Sequence, residues 1–135
     1  MLTGQPQPQD RLMRRETYRH SVYTLRYTIR KYTWEQAEIT CSHRGARVAT
    51  SPLPGVILES FDSLSLPLQL NIWITNDGGQ CLTLKKECKE GSLIRSSWAT
   101  RCGSFELKPL LADCQTRKEY LICVTGKCQV KFSSN

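Results

Sequence analysis

The sequence predicts an α+β domain: two helices packed on short antiparallel sheets, with a long loop region and disulfide staples. Three observations predict it. Apolar and more polar residues alternate from Val22 to Arg30, and Glu119 to Val124 supplies a late strand. Between them, Trp34-Glu35-Gln36-Ala37-Glu38-Ile39-Thr40-Cys41 reads as a helix with Trp34, Ala37 and Cys41 at i, i+3 and i+7 on one face. A cysteine on that face can tie the helix to a distant strand, and the 135-residue chain holds seven cysteines.

The elements follow in order. Residues 1–17, dominated by Gln, Pro and Arg with little apolar content, read as disordered. In the first strand Tyr23, Leu25, Tyr27 and Ile29 form the largely apolar face. Thr33 offers an N-cap and Gln36 completes a capping box, so the first helix is expected over 34–44, stopped by Gly45 in a left-handed conformation. Pro52 and Pro54 interrupt any helix that follows. A second helix is expected over 56–64, with Ile57, Phe61 and Leu64 as its buried stripe and Pro67 limiting its end. Asn71 to Thr75 is a short strand of strong β formers, and Asn76-Asp77-Gly78-Gly79 is a turn. Residues 76–101 read as a long loop, and 101–114 and 119–124 as the last strands. The expected organisation is a flexible basic tail over 1–19, one domain over 20–125 and a C-terminal tail over 126–135.

The cysteines bound the chemistry. There is no Cys-x2-Cys pair, and His20 and His43 have no partner at metal-ligand spacing, so disulfides are favoured over zinc. Disulfides imply an oxidising compartment, hence an extracellular or cell-surface protein, either secreted or a fragment of a larger one. No apolar run approaches the roughly 18–20 residues of a membrane span. The polar start, Met1 to Asp10, shows no signal peptide, which sits best with a fragment, an isoform or a mature part with an added Met. Of the formal net charge of +7, residues 1–31 contribute +5, as Arg11, Arg14, Arg15, Arg19, Arg26, Arg30 and Lys31 against Asp10 and Glu16. That arm suits a polyanion, although no dense basic run marks it, and a solvated tail is the simpler reading.

Taken together, Trp34, Ala37, Cys41, Gly45, Val48-Ala49, Trp73-Ile74, Cys102, Cys114, Tyr120-Leu121-Ile122 and Cys123 resemble the C-type lectin-like domain over roughly residues 21–124. The resemblance implies disulfides Cys41–Cys123 and Cys102–Cys114, with Cys81–Cys88 closing a local loop and Cys128 left over for an intermolecular bond. A second register pairs Cys81 with Cys114 and Cys88 with Cys102. The first is preferred because it keeps the family's usual loop length after Trp73. The chain departs from the family at Thr75, where Gly is usual, and at Pro109-Leu110-Leu111, where Trp-Asn-Asp is usual. The calcium- and sugar-binding Glu-Pro-Asn or Gln-Pro-Asp tripeptide does not occur. Leu110 and Leu111 cannot supply the oxygens calcium takes, so no metal or cofactor is expected.

The expected function is therefore an extracellular module that recognises a protein ligand or receptor without calcium. An acidic polysaccharide bound by the N-terminal arm is the alternative, carbohydrate recognition is a more distant one, and no nucleic acid is expected. No enzyme motif occurs: there is no paired-carboxylate motif or Gly-rich phosphate loop, and Cys41 and His43, two apart on a helix, face different ways. Trp34 and Trp73 read as core residues. For Trp98 a buried strand position is weighed ahead of an interface anchor. In the interface reading, Arg95 and Trp98 are the anchors of the loop face and Lys85, Lys86 and Lys89 its rim charges.

Overall fold

The computed structural model describes residues 7–64, 66 and 70–126. Pro67, expected to limit the second helix, and Cys128, expected to be the odd thiol, lie outside the described residues.

The chain is α+β. A five-stranded sheet is built from β1 (Arg11–Tyr18), β2 (Ser21–Tyr32), β3 (Arg47–Val48), β4 (Ile72–Trp73) and β9 (Lys118–Thr125). β9 pairs antiparallel with β2 on one edge. On its other edge it pairs antiparallel with β3 and parallel with β4. Alternation along β9 divides the core. Tyr120, Ile122 and Val124 join Leu25, Ile57, Phe61 and Leu84 on one face; Leu121 and Cys123 join Tyr32, Ala37, Cys41 and Trp73 on the other. Helix α1 (Trp34–Ser42) covers the second face and α2 (Gly55–Asp62) the first.

Local chemistry sets the helix ends. Thr33 Oγ1 accepts from the Gln36 N–H (3.1 Å) and Gln36 Oε1 from the Thr33 N–H (3.1 Å), the expected capping box. α1 ends at Ser42, before the expected 44, and Gly45 takes φ +67° just beyond it. α2 starts one residue earlier and ends two earlier than expected. Its stripe is as read, with Ile57 and Phe61 buried and Leu64 packed against the core.

The N-terminal segment departs most from expectation. Residues 11–18, placed in a flexible tail by their polarity, form edge strand β1, joined to β2 by a two-residue turn with Arg19 at φ 49° and His20 at φ 68°. Polarity did not prevent ordering because the segment is held by side chains. Gln7, only 8% exposed, donates from Nε2 to Lys31 O (3.1 Å) and Gln36 Oε1 (2.9 Å). Asp10, with its side chain 2% exposed, accepts from Arg26 Nε (2.6 Å) and the Tyr32 hydroxyl and pairs with Arg44 (3.0 Å). Arg14 donates to Ser60 O and Oγ of α2, both at 3.1 Å. Burial first, then the bond to Asp10, pushes the Tyr32 hydroxyl far above its ordinary pKa.

Two expectations for β2 are also corrected. Ile29 is 72% exposed and Thr28 is fully buried, because the β2–β9 ladder lapses between Tyr27↔Tyr120 and Tyr32↔Lys118 and nothing covers Ile29 there. Trp73 is fully buried and donates from Nε1 to Tyr32 O (3.0 Å), whereas Trp34 is only half-buried, edge-on to Trp73 at 5.1 Å. Lys118 Nζ lies 5.1 Å from the Trp73 ring centroid, and burial lowers its pKa.

No helix among the described residues is long and apolar enough to cross a membrane.

Candidate interaction face

Residues 76–101, expected to be a loop, hold most of a second β unit. β5 (Leu82–Cys88) pairs antiparallel with β8 (Phe105–Leu111), from Leu82↔Leu111 to Cys88↔Phe105. Beyond Cys88 the chain makes a smaller hairpin, β6 (Leu93–Arg95) with β7 (Thr100–Cys102), in the register Leu93↔Cys102, Ile94↔Arg101, Arg95↔Thr100. β5 buries Leu82 and Leu84 against the core, but β6 and β7 lack a legible alternation because little of either face is buried: every residue of β6 is exposed.

This geometry decides the disulfides. Cys41–Cys123 forms as the resemblance implied, with Cα atoms 5.5 Å apart. The preferred remainder, Cys81–Cys88 with Cys102–Cys114, is wrong, and the second register holds: Cys81–Cys114 and Cys88–Cys102, with Cα separations of 5.5 and 5.6 Å. The reason is strand length. Cys81 and Cys88 lie at opposite ends of β5, roughly 20 Å apart at the rise of an extended chain, far beyond the about 7 Å a disulfide spans. Cys102 and Cys114 likewise flank β8. The antiparallel pairing instead brings Cys81 beside the chain leaving β8, where the Ala112 N–H donates to Cys81 O (2.9 Å).

Cys88–Cys102 therefore clamps the base of the small hairpin. The Lys89 N–H donates to Ser104 O (2.9 Å), Ser92 N–H to Lys89 O (3.0 Å) and Gly103 N–H to Ser92 O (2.7 Å). A Cβ on Gly103 would stand 3.1 Å from Ser92 O, so the close approach of the two strands favours glycine. At the far end the Ser96 N–H donates to Ala99 O (2.8 Å) and the Ala99 N–H to Ser96 Oγ (3.1 Å), closing a tight turn with Trp98 in it.

The proposed contact residues fall into two groups. Trp98 is 90% exposed at the tip, which overturns its reading as a buried strand residue; two turn residues, Ser96 and Ser97, separate it from β6, and no core reaches it. Arg95 is exposed on β6, and Lys89 is exposed at the hairpin base. Neither Arg95, Arg101 nor Lys89 makes an ion pair among the described residues. Lys85 and Lys86 stand apart, on β5. Lys85 pairs with Glu87 (3.3 Å). Lys86 is not a rim charge: its side chain is 10% exposed, pairs with Asp62 of α2 (3.1 Å), donates to Leu66 O and lies over the Phe105 ring. Lys108, paired with Glu106 and Glu87, is held protonated above its usual range.

Sequence reading missed Leu93, Ile94 and Arg101. Leu93 and Ile94 are each 48% exposed beside Arg95 and Trp98. A signal was present: Gly91 to Phe105 contains no Asp or Glu in a chain with twelve.

Elsewhere, Pro109, Leu110 and Leu111 lie in β8 with Leu111 72% exposed, and among the described residues no group of three or more His, Cys, Asp or Glu is placed to hold a metal. Cys41 is consumed by its disulfide, so it offers no thiol to His43. A cleft of about 410 Å³ lies between α1 and the Asn76 turn, lined by Trp34, Glu38, Arg47 and Asp77 among others; burial and then Glu35 raise the Glu38 carboxyl pKa.

Nothing matches this chain among protein-family models, curated proteins or solved structures.

Proposed function

We propose that the chain is an extracellular interaction module of C-type lectin-like type that recognises a protein partner, without calcium, through the β6–β7 tip. The observation that carries this is the tip itself: Trp98 at 90% exposure, beside Leu93, Ile94 and Arg95, on a hairpin clamped by Cys88–Cys102. Trp and Arg are the residues that dominate binding energy at interfaces, and a clamped hairpin loses little freedom on docking. Three disulfides fit an oxidising, extracellular setting. The segment where the family places calcium ligands offers Pro109, Leu110 and Leu111, which supports calcium independence. The polyanion reading of the N-terminal arm is weakened, because Arg14 and Arg26 are engaged by α2 and Asp10.

Trp98→Ala tests the reading. The side chain touches too little of the fold for its loss to lower Tm, while truncating an anchor should weaken partner binding by about 2 kcal/mol or more. A lowered Tm, or a partner bound equally well by the variant, retires Trp98. A saturable rise in Tm with millimolar calcium, reversed by chelation, would contradict the metal-free reading.

A further inference from the structure

The hairpin register specifies what kind of surface fits the tip, an inference that rests on the tip being the contact face. Opposed residues of an antiparallel pair share a face. Ile94 and Arg101 therefore share one face of the hairpin, and Leu93, Arg95 and Thr100 the other. Each face carries one aliphatic side chain and one arginine, and Trp98 projects from the turn between them. A flat partner would engage one face and leave the other arginine and aliphatic group in water.

The charges at the tip are available for pairing. Lys85, Lys86 and Lys108 are neutralised within the domain by Glu87, Asp62 and Glu106. Arg95 and Arg101 have no such partner among the described residues, and no carboxylate occurs from Gly91 to Phe105.

The order of residues from the turn downward separates a protein from a lipid surface. Trp98 comes first, then Arg95 level with Thr100, then Ile94 level with Arg101, then Leu93 level with Cys102. Sinking Leu93 and Ile94 into a bilayer would carry Arg95 deeper than either of them, and hydrocarbon strongly disfavours a guanidinium. A protein can place a carboxylate at that depth.

We infer that the tip docks into a concave, acidic protein surface, with an apolar pocket for Trp98 at its floor and carboxylates on opposite walls facing Arg95 and Arg101. Bidentate pairing of guanidinium with carboxylate would fix the orientation of the hairpin, and the field of the carboxylates would speed encounter.

The test uses the oxidised, full chain. A displayed library of designed ankyrin-repeat proteins, whose binding surface is concave, is selected on it, and the binders are sorted by whether Trp98→Ala abolishes capture. Trp98-dependent binders are expected to be richer in Asp and Glu than Trp98-independent ones. They should lose about thirtyfold or more in affinity on Trp98→Ala and about tenfold on either Arg95→Glu or Arg101→Glu, with a weaker salt dependence after each reversal. Melting curves of the three variants should overlay the parent's. Trp98-dependent binders with no acidic enrichment, or indifferent to both charge reversals, overturn the inference while sparing the tip as the contact face. Binders that never distinguish Trp98→Ala overturn the tip reading itself. Trp98-dependent cosedimentation with phosphatidylserine–phosphatidylcholine vesicles overturns the protein assignment in favour of a membrane.

Discussion

Asp10 is the residue whose loss should show most clearly that the N-terminal segment belongs to the fold. Its carboxylate is 2% exposed and meets three groups: Arg26, whose side chain is 9% exposed, Arg44, at 41%, and the buried Tyr32 hydroxyl. Asp10→Ala leaves Arg26 as a buried charge with no partner, a change that costs about 3–5 kcal/mol. The Arg44 pair is largely solvated and adds at most about 1 kcal/mol. The orphaned Tyr32 hydroxyl is worth about 1–3 kcal/mol on its own, but it shares the site with Arg26, so these terms overlap and do not sum. The expected total is about 3–5 kcal/mol. Urea unfolding of the disulfide-intact protein measures it, and deletion of residues 1–10 should give a similar loss. The double variant Asp10→Ala, Arg26→Met should recover part of it, since no unpaired charge then stays buried, and adding Tyr32→Phe should recover more by removing the orphaned hydroxyl. A single-variant loss under about 1 kcal/mol, the value of an exposed pair, would mean that the segment is the loose tail its composition suggests.

Three further outcomes follow from the same structure. Replacing Cys41 and Cys123 together with Ala, which opens a closure of 82 residues, should cost about 2–5 kcal/mol, and partial reduction followed by peptide mapping should recover Cys81–Cys114 and Cys88–Cys102 rather than Cys81–Cys88. The turn residues Arg19 and His20 both sit at positive φ, so Arg19→Asn with His20→Gly should raise stability, by up to about 1 kcal/mol, in a thermal melt. Tyr32 keeps its proton in the folded state well above the pH near 10 at which the unfolded chain releases it. Its contribution to stability is therefore complete below about pH 10 and declines above it; Tyr32→Phe should flatten that alkaline decline in urea midpoints taken with Cys128 alkylated.

What could be read from the sequence was what depends on near neighbours. The Thr33–Gln36 cap, the Ile57–Phe61 stripe, the turn at Asn76 and the left-handed Gly45 each rest on residues within a few positions of one another, where periodicity and backbone preference act directly. The cysteine on the buried face of α1 was legible for the same reason, and the partner that the family resemblance gave it, Cys123, is the one it has. The tertiary structure decided whatever depends on distant partners. Polar β1 is a strand because Asp10 finds Arg26 and Tyr32, and Arg14 finds Ser60, contacts that leave no mark on local pattern. The other two disulfides follow from β5 and β8 running antiparallel in a region that alternation did not reveal. Trp98 shows the same division. Its identity was plain, but its exposure was fixed by a clamped hairpin that holds it away from both faces of the core.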